Sequence, residues 1–118
     1  MPESEIRFNL VFYKTAAGNE PVLEWLRNLE PAYRKIIGDD LKTIQFGFPD
    51  EIPPKLCKSL GKGLIECRSD LPGRNIARII FCVNGSEIVT LHAFIKKEQK
   101  TKPQHIELAL ERKRELGL

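Results

Sequence analysis

Two apolar runs, residues 76 to 83 and 87 to 96, are separated by Asn84-Gly85, and no other feature constrains the fold of this chain as much. Asn and Gly both tolerate the positive φ of a tight type I′ turn, so the two runs are expected to be antiparallel neighbours joined by a hairpin. A third run, at about 64 to 69, precedes them across a turn at Leu71-Pro72-Gly73. Together the three predict an antiparallel meander. Each also carries charge: Glu66 and Arg68 in the first, Arg78 in the second, Lys96 at the end of the third with Lys97 following. A charge within a strand that otherwise favours burial has to face something other than core. Arg and Lys converging from neighbouring strands make a surface suited to phosphates, the outline of an RNA-handling sheet.

Upstream, Ile6, Phe8, Leu10 and Phe12 alternate with Arg7, Asn9 and Tyr13, the period of a strand with one buried face, which ends near Ala16-Ala17-Gly18. Asn19 is placed to cap a short helix with Pro21 in its first turn, and Val22, Trp25, Leu26 and Leu29 fall on one helical stripe. Pro31 opens a second helix with Tyr33, Ile37, Leu41 and Ile44 on its apolar side, Ile36 adjacent, and Gly47 and Pro49 as its stop. The two read as a helical hairpin, with Trp25 and Tyr33 anchoring it to the sheet. Residues 47 to 63 hold Gly47, Pro49, Pro53, Pro54, Gly61 and Gly63 with Lys55, Lys58 and Lys62, the composition of a basic connecting loop. After the meander, Thr101 or Lys102 precedes Pro103, and Ile106, Ala109, Leu110, Lys113 and Leu116 mark an amphipathic C-terminal helix. The expected order is β-α-α-β-β-β-α: an α+β fold with its helices on one side of an antiparallel sheet.

A chain of 118 residues is long enough for one packed core and short for two, so residues 1 to 118 are expected to form a single domain. No stretch approaches the ~20 apolar residues that span a bilayer, and Glu3, Glu5 and Arg7 stand where a signal peptide would be apolar, which predicts a soluble, cytoplasmic protein with no membrane partner. Cys57, Cys67 and Cys82 are an odd number without a Cys-x-x-Cys pair and indicate neither a disulfide framework nor a zinc knuckle; Cys67 and Cys82 read as small strand residues. The net charge of +3 divides unevenly: six Lys or Arg against nine Asp or Glu over residues 1 to 54, thirteen against seven over 55 to 118. The basic half is the one with the charged strands, which favours a polyanionic partner there over a merely solvated face.

Three motifs in order, Leu64-x-Glu66-x-Arg68-Ser69, Ile76-Ala77-Arg78-Ile79 and His92-x-Phe94-Ile95-Lys96-Lys97, the last continued by Gln99, Lys100 and Thr101, carry a resemblance to a known family. The chain resembles the RelE/HigB-like toxins of bacterial type II toxin-antitoxin systems, and within them the phage-derived branch. The resemblance implies a RelE-like fold, a cognate helix-turn-helix antitoxin, and ribosome-dependent cleavage of mRNA as an endoribonuclease without metal or cofactor. The two histidines, His92 and His105, lie thirteen positions apart, and no His, Cys and carboxylate group falls at ligand spacing. In such a reaction the RNA 2′-hydroxyl attacks the adjacent phosphorus and a 5′-hydroxyl leaves. Arg68 and Arg78 would stabilise the charge gained by the phosphorane, each lowering the barrier on the order of 3 kcal/mol.

Strand alternation puts Glu66, Arg68, Arg78 and Lys96 on one face, with Lys97 near enough at the strand end to reach it. These five are the candidate catalytic residues; Lys55, Lys58, Lys62 and Lys100 are candidate RNA contacts. Arg78 is expected to face the cleft, where truncation would leave no core cavity. Each has a blander reading: Glu66 as a cross-strand partner of Arg68 or Arg78, Lys96 and Lys97 as charges that blunt a strand end, His92 as a hydrogen-bonded structural residue. Several relatives place a Tyr or His near the C-terminal helix for proton transfer. This chain offers Gln99, Lys100, Thr101 and then His105, while its tyrosines, Tyr13 and Tyr33, are N-terminal. The general acid and base stay open between a Lys of lowered pKa, Glu66 and His105. The alternative to an endoribonuclease is a non-catalytic RNA- or ribosome-binding protein, or a degenerate toxin kept as an antitoxin-binding subunit. A small metabolic enzyme is disfavoured because no cofactor motif is present.

Overall fold

The computed structural model describes residues 5 to 97 and 100 to 118. Strand β1 (Asn9–Phe12) is followed by helices α1 (Pro21–Arg27) and α2 (Pro31–Gly47), then by strands β2 (Cys57–Gly61), β3 (Leu64–Leu71), β4 (Asn75–Asn84) and β5 (Glu87–Lys96), and finally by helix α3 (Pro103–Glu115). The five strands form one sheet in the order β1-β5-β4-β3-β2, antiparallel except where β1 joins β5 in parallel. The α+β class and the meander β3-β4-β5 are as expected; the rest of the architecture differs.

The sheet is mixed, and it has a fifth strand inside the segment expected to be a loop. β2 is an edge strand whose Lys58 and Ser59 are exposed and whose Cys57 and Leu60 are only half-buried, so it shows no apolar period. It is held by its backbone ladder to β3, and an exposed Lys is a common way to keep such an edge from pairing further. Its turn, Lys62-Gly63, has φ of 54° and 79°, the two positive angles of a type I′ turn. At the hairpin anticipated for Asn84-Gly85, Asn84 instead pairs with Glu87, and the two-residue loop is Gly85-Ser86 with positive φ on Gly85.

The helices lie on both faces of the sheet. Ile37, Leu41 and Ile44 of α2 pack with Cys67, Ala77, Ile79, Phe81 and Ile88, and Trp25, Leu26, Leu29 and Tyr33 add to this layer. On the opposite face Ala109, Ile106 and Leu110 of α3 meet Leu64, Ile80, Cys82, Val89, Leu91 and Phe94. The cause is visible in β4, where residues 77 to 82 are all buried: a strand without a wet face needs cover on both sides. Full burial of a side chain such as Ile37, Ile44, Ile79 or Ile80 contributes about 1.5–3 kcal/mol, so neither layer is dispensable.

The first strand is shorter than its alternation suggests. The amides of Arg7 and Phe8 both donate to the carbonyl of Gln45 at the end of α2, which draws residues 7 and 8 off the ladder and leaves Ile6 exposed. It is also covered on both faces, with Phe8 and Leu10 on the α2 side and Val11 and Tyr13 on the α3 side. Glu20 rather than Asn19 is the N-cap of α1, and its amide donates to the Glu24 carboxylate. Among the described residues no helix is long and apolar enough to cross a membrane.

Candidate functional site: a buried carboxylate beneath a basic cleft

Antiparallel pairing of β3 with β4 sets Arg68 directly opposite Arg78, and pairing of β4 with β5 sets Arg78 opposite Phe94 and Ile76 opposite Lys96. Two like charges facing each other across a ladder repel. Glu66, two residues before Arg68 on the same face, resolves the conflict: its Oε1 lies 3.0 Å from Arg68 Nε and 3.7 Å from Arg78 Nη1. The network is completed from outside the sheet, where Thr101, just ahead of α3, donates its hydroxyl to Glu66 Oε2 and accepts from Arg78 Nη1 at 3.0 Å.

Burial separates the members. The side chains of Glu66 and Arg78 are 0% exposed, whereas that of Arg68 is 19% exposed. The expectation that Arg78 faces an open cleft and could be truncated without leaving a cavity is therefore overturned; it is the largest fully buried side chain of the described residues. The reason is α3, whose N-terminal approach closes over the face that strand alternation alone leaves open. Glu66 does pair with both arginines, but in the interior, where removing one partner of an ion pair costs far more than at a surface.

Arg68 opens onto a cleft of about 580 Å³ that is also lined by Lys55, Lys58, Asp70 and Ile76. Lys58 is the register partner of Glu66 across β2 and β3, and the Arg68 amide donates to the Leu56 carbonyl, so the new edge strand is what delivers both lysines to the cleft. Lys96 is half-buried one strand beyond Ile76, on the Arg78 face. Lys97 is exposed just past the end of β5, and Lys100 is exposed before α3; Gln99, part of the same motif, lies outside the described residues. Lys62 is not brought to the cleft. It occupies the β2-β3 turn, beside Gly63, whose missing Cβ would come within 3.3 Å of Lys113 near the far end of α3.

Two residues that the sequence marks only weakly complete this face. His105 of α3 stacks on Phe94 with ring centroids 3.6 Å apart, and its Nδ1 lies 2.8 Å from Nε2 of His92. Burial first, then the charges of His105 and Arg112, lower the His92 pKa to about 4. His105 is also lowered, by burial and then by Lys96, Lys102 and Arg78, with Glu66 opposing. Both rings are thus held neutral at pH 7, and a neutral imidazole beside Lys96 and the Glu66 network is able to accept a proton. Thr101 has no sequence signal of its own beyond its place after the basic motif; its role becomes visible only when α3 folds back onto the sheet. Among the described residues no group of three or more His, Cys, Asp or Glu side chains converges to hold a metal.

Residues 24 to 114 match the family model of phage-derived Gp49-like proteins (DUF891). The chain belongs to this family. Gp49-like proteins are a RelE/toxin-like family of phage derivation, which agrees with the resemblance carried by the three strand motifs at that level. No curated protein was found to match the chain.

Proposed function

We propose that this Gp49-like protein is the toxin of a type II toxin-antitoxin pair and acts as a ribosome-dependent mRNA endoribonuclease, using cations of its own chain. The observation that carries this reading is the position of Arg68 at the mouth of a basic cleft, braced from below by the buried Glu66. Lys55 and Lys58 line that cleft and are suited to the RNA backbone, fixing a phosphate beside Arg68. Arg68 then stabilises the charge that develops as the 2′-hydroxyl attacks, an interaction stronger in the transition state than in the ground state. Glu66, Arg78 and Thr101 hold the Arg68 guanidinium in place and are positioning residues. His105, neutral and next to Lys96, accepts the proton of the 2′-hydroxyl, while Lys96 and Lys97 add positive charge where the 5′-oxygen departs and takes up a proton from water.

Primer extension on a message in a translating extract, with parallel reactions on the same RNA free of ribosomes, tests the proposal. The expected result is cleavage only in the translating sample, with fragments that end in a cyclic 2′,3′-phosphate and begin with a 5′-hydroxyl. Equal cleavage of naked RNA, or none in either sample from a folded protein, would overturn it; the second result, with ribosome binding retained, supports the non-catalytic binding protein instead. The cognate partner we propose is a small helix-turn-helix antitoxin. Co-expression of this chain with the neighbouring small gene should restore growth and give one co-eluting complex at low and high salt.

A further inference from the structure

Spacing along the chain gives the cysteines no partners, but β2 supplies one. Cys57 on β2 is the register partner of Cys67 on β3. Just ahead of this ladder the Arg68 amide donates to the Leu56 carbonyl at 2.7 Å, which sets positions 56 and 68 in the hydrogen-bonding register; Cys57 and Cys67, the next pair along, are therefore at a non-hydrogen-bonded position. At such positions the Cα atoms are about 4.5 Å apart and the side chains lean together, inside the range that a disulfide spans. Both cysteines are free thiols on the α2 face: Cys67 buried in the core, Cys57 half-buried at the wall of the basic cleft.

We propose that Cys57 and Cys67 form a peroxide-responsive cross-strand disulfide. Hydrogen peroxide oxidises the accessible Cys57 thiolate to a sulfenic acid, releasing hydroxide. The Cys67 sulfur then attacks the Cys57 sulfur, the S–S bond forms, and water leaves with the proton of Cys67, so that two thiols lose two electrons and peroxide gains them. The direction of attack follows from the surroundings. The neighbouring Cys67 thiol lowers the Cys57 pKa against the opposing effects of burial and Asp40 of α2, while Cys57 and burial raise that of Cys67. Cys82 is buried on the opposite face, within the cluster beneath α3, and has no cysteine in register. The bond would tie the edge strand to β3 at the position next to Lys58 and Arg68, so the cleft wall becomes covalently fixed.

The test uses the reduced protein, freed of reductant and treated with hydrogen peroxide. Its mass should fall by two hydrogens with no covalent dimer, and digestion should give one linked peptide joining positions 57 and 67, with Cys82 still alkylated. Cys82→Ala should behave as the parent does, and Cys57→Ser, a half-buried position whose folding circular dichroism verifies, should lose the linkage. Amide exchange over residues 57 to 61 should slow roughly tenfold on oxidation and recover with dithiothreitol. Stable sulfinic acid on Cys57 with Cys67 still free, dimers linked through Cys57, a link to Cys82, or exchange in β2 unchanged by oxidation would each overturn the proposal.

Discussion

Arg78 and Arg68 face each other on adjacent strands, share one carboxylate and differ in what surrounds them, which gives them opposite mutational signatures. Arg78 and Glu66 have no exposed surface, so Arg78→Ala leaves a buried charge and a cavity and is expected to lower the unfolding free energy by about 3–5 kcal/mol. Arg68→Ala keeps the hydrogen bonds that Thr101 makes to Glu66 and Arg78, and the destabilisation should be smaller, about 1.5–3 kcal/mol. Urea unfolding of both variants gives these values, and a similar cost for the two would mean that burial does not distinguish them. Activity should rank the other way relative to stability. Arg68→Lys retains charge and fold but not the guanidinium geometry, and is expected to reduce growth arrest and cleavage on the order of a hundredfold. A fully toxic Arg68→Lys would remove Arg68 from the chemistry. Period-2 alternation makes it legible that Glu66, Arg68, Arg78 and Lys96 share a face. It cannot show that the face is roofed, because burial there depends on Thr101 and α3, more than twenty residues further along the chain than Arg78.

At the scale of elements, α3 is docked by polar contacts as much as by its apolar stripe. Arg112 donates to the Leu91 carbonyl at 2.7 Å and lies over the Tyr13 ring, the Tyr13 hydroxyl donates to Glu115, and the His105 ring stacks on Phe94 and clusters with His92. This makes the helix sensitive to acid. An imidazole in the unfolded chain binds a proton near pH 6.5, and His92 in the fold does so only near pH 4. Between those values the unfolded state holds the extra proton, so stability is complete above about pH 6.5 and falls as the pH drops towards 4. Allowing for the part of the ring that solvent still reaches, the decrease amounts to on the order of 2 kcal/mol, with His105 adding in the same direction. Urea unfolding at pH 7.5 and pH 5 should show a little over half of this for the parent and largely lose it in His92→Gln; an unchanged pH slope in the variant would place the titration elsewhere. The strands β3, β4 and β5 are readable because apolar runs and turn residues coincide, and α2 because its stripe ends at a glycine. β2 is not, since an edge strand with exposed Lys58 and Ser59 has the composition of a loop and is defined by its backbone ladder. The parallel pairing of β1 with β5 leaves no local trace at all.

For the molecule as a whole, the excess of positive charge beyond residue 54 is gathered partly by folding, with Lys55, Lys58 and Arg68 on one cleft and Lys96 one strand away. Lys55 and Lys58 are expected to bind phosphate through charge, without reading bases. Replacing both with Ala should weaken ribosome binding moderately and reduce the slope of log K against log salt by about 0.7 for each phosphate no longer neutralised. Lys62→Ala, in the turn away from the cleft, should leave that slope unchanged. Titrations at several salt concentrations decide both, and an equal effect of Lys62→Ala would indicate a diffuse field and not a cleft.

The strand order has a further bearing on how such a protein comes into being. Asn9 finds its partner in Glu87, 78 positions later, and the elements that close over Glu66 follow β5. At ordinary rates of synthesis β1 waits on the order of ten seconds before the strand it joins exists, and long-range pairing of this kind is slow to form in any case. The roof of the site, Thr101 and α3, comes later still. A protein proposed to attack translation is thus made in an order that withholds its finished cleft until Thr101 and α3 have followed all five strands out of synthesis.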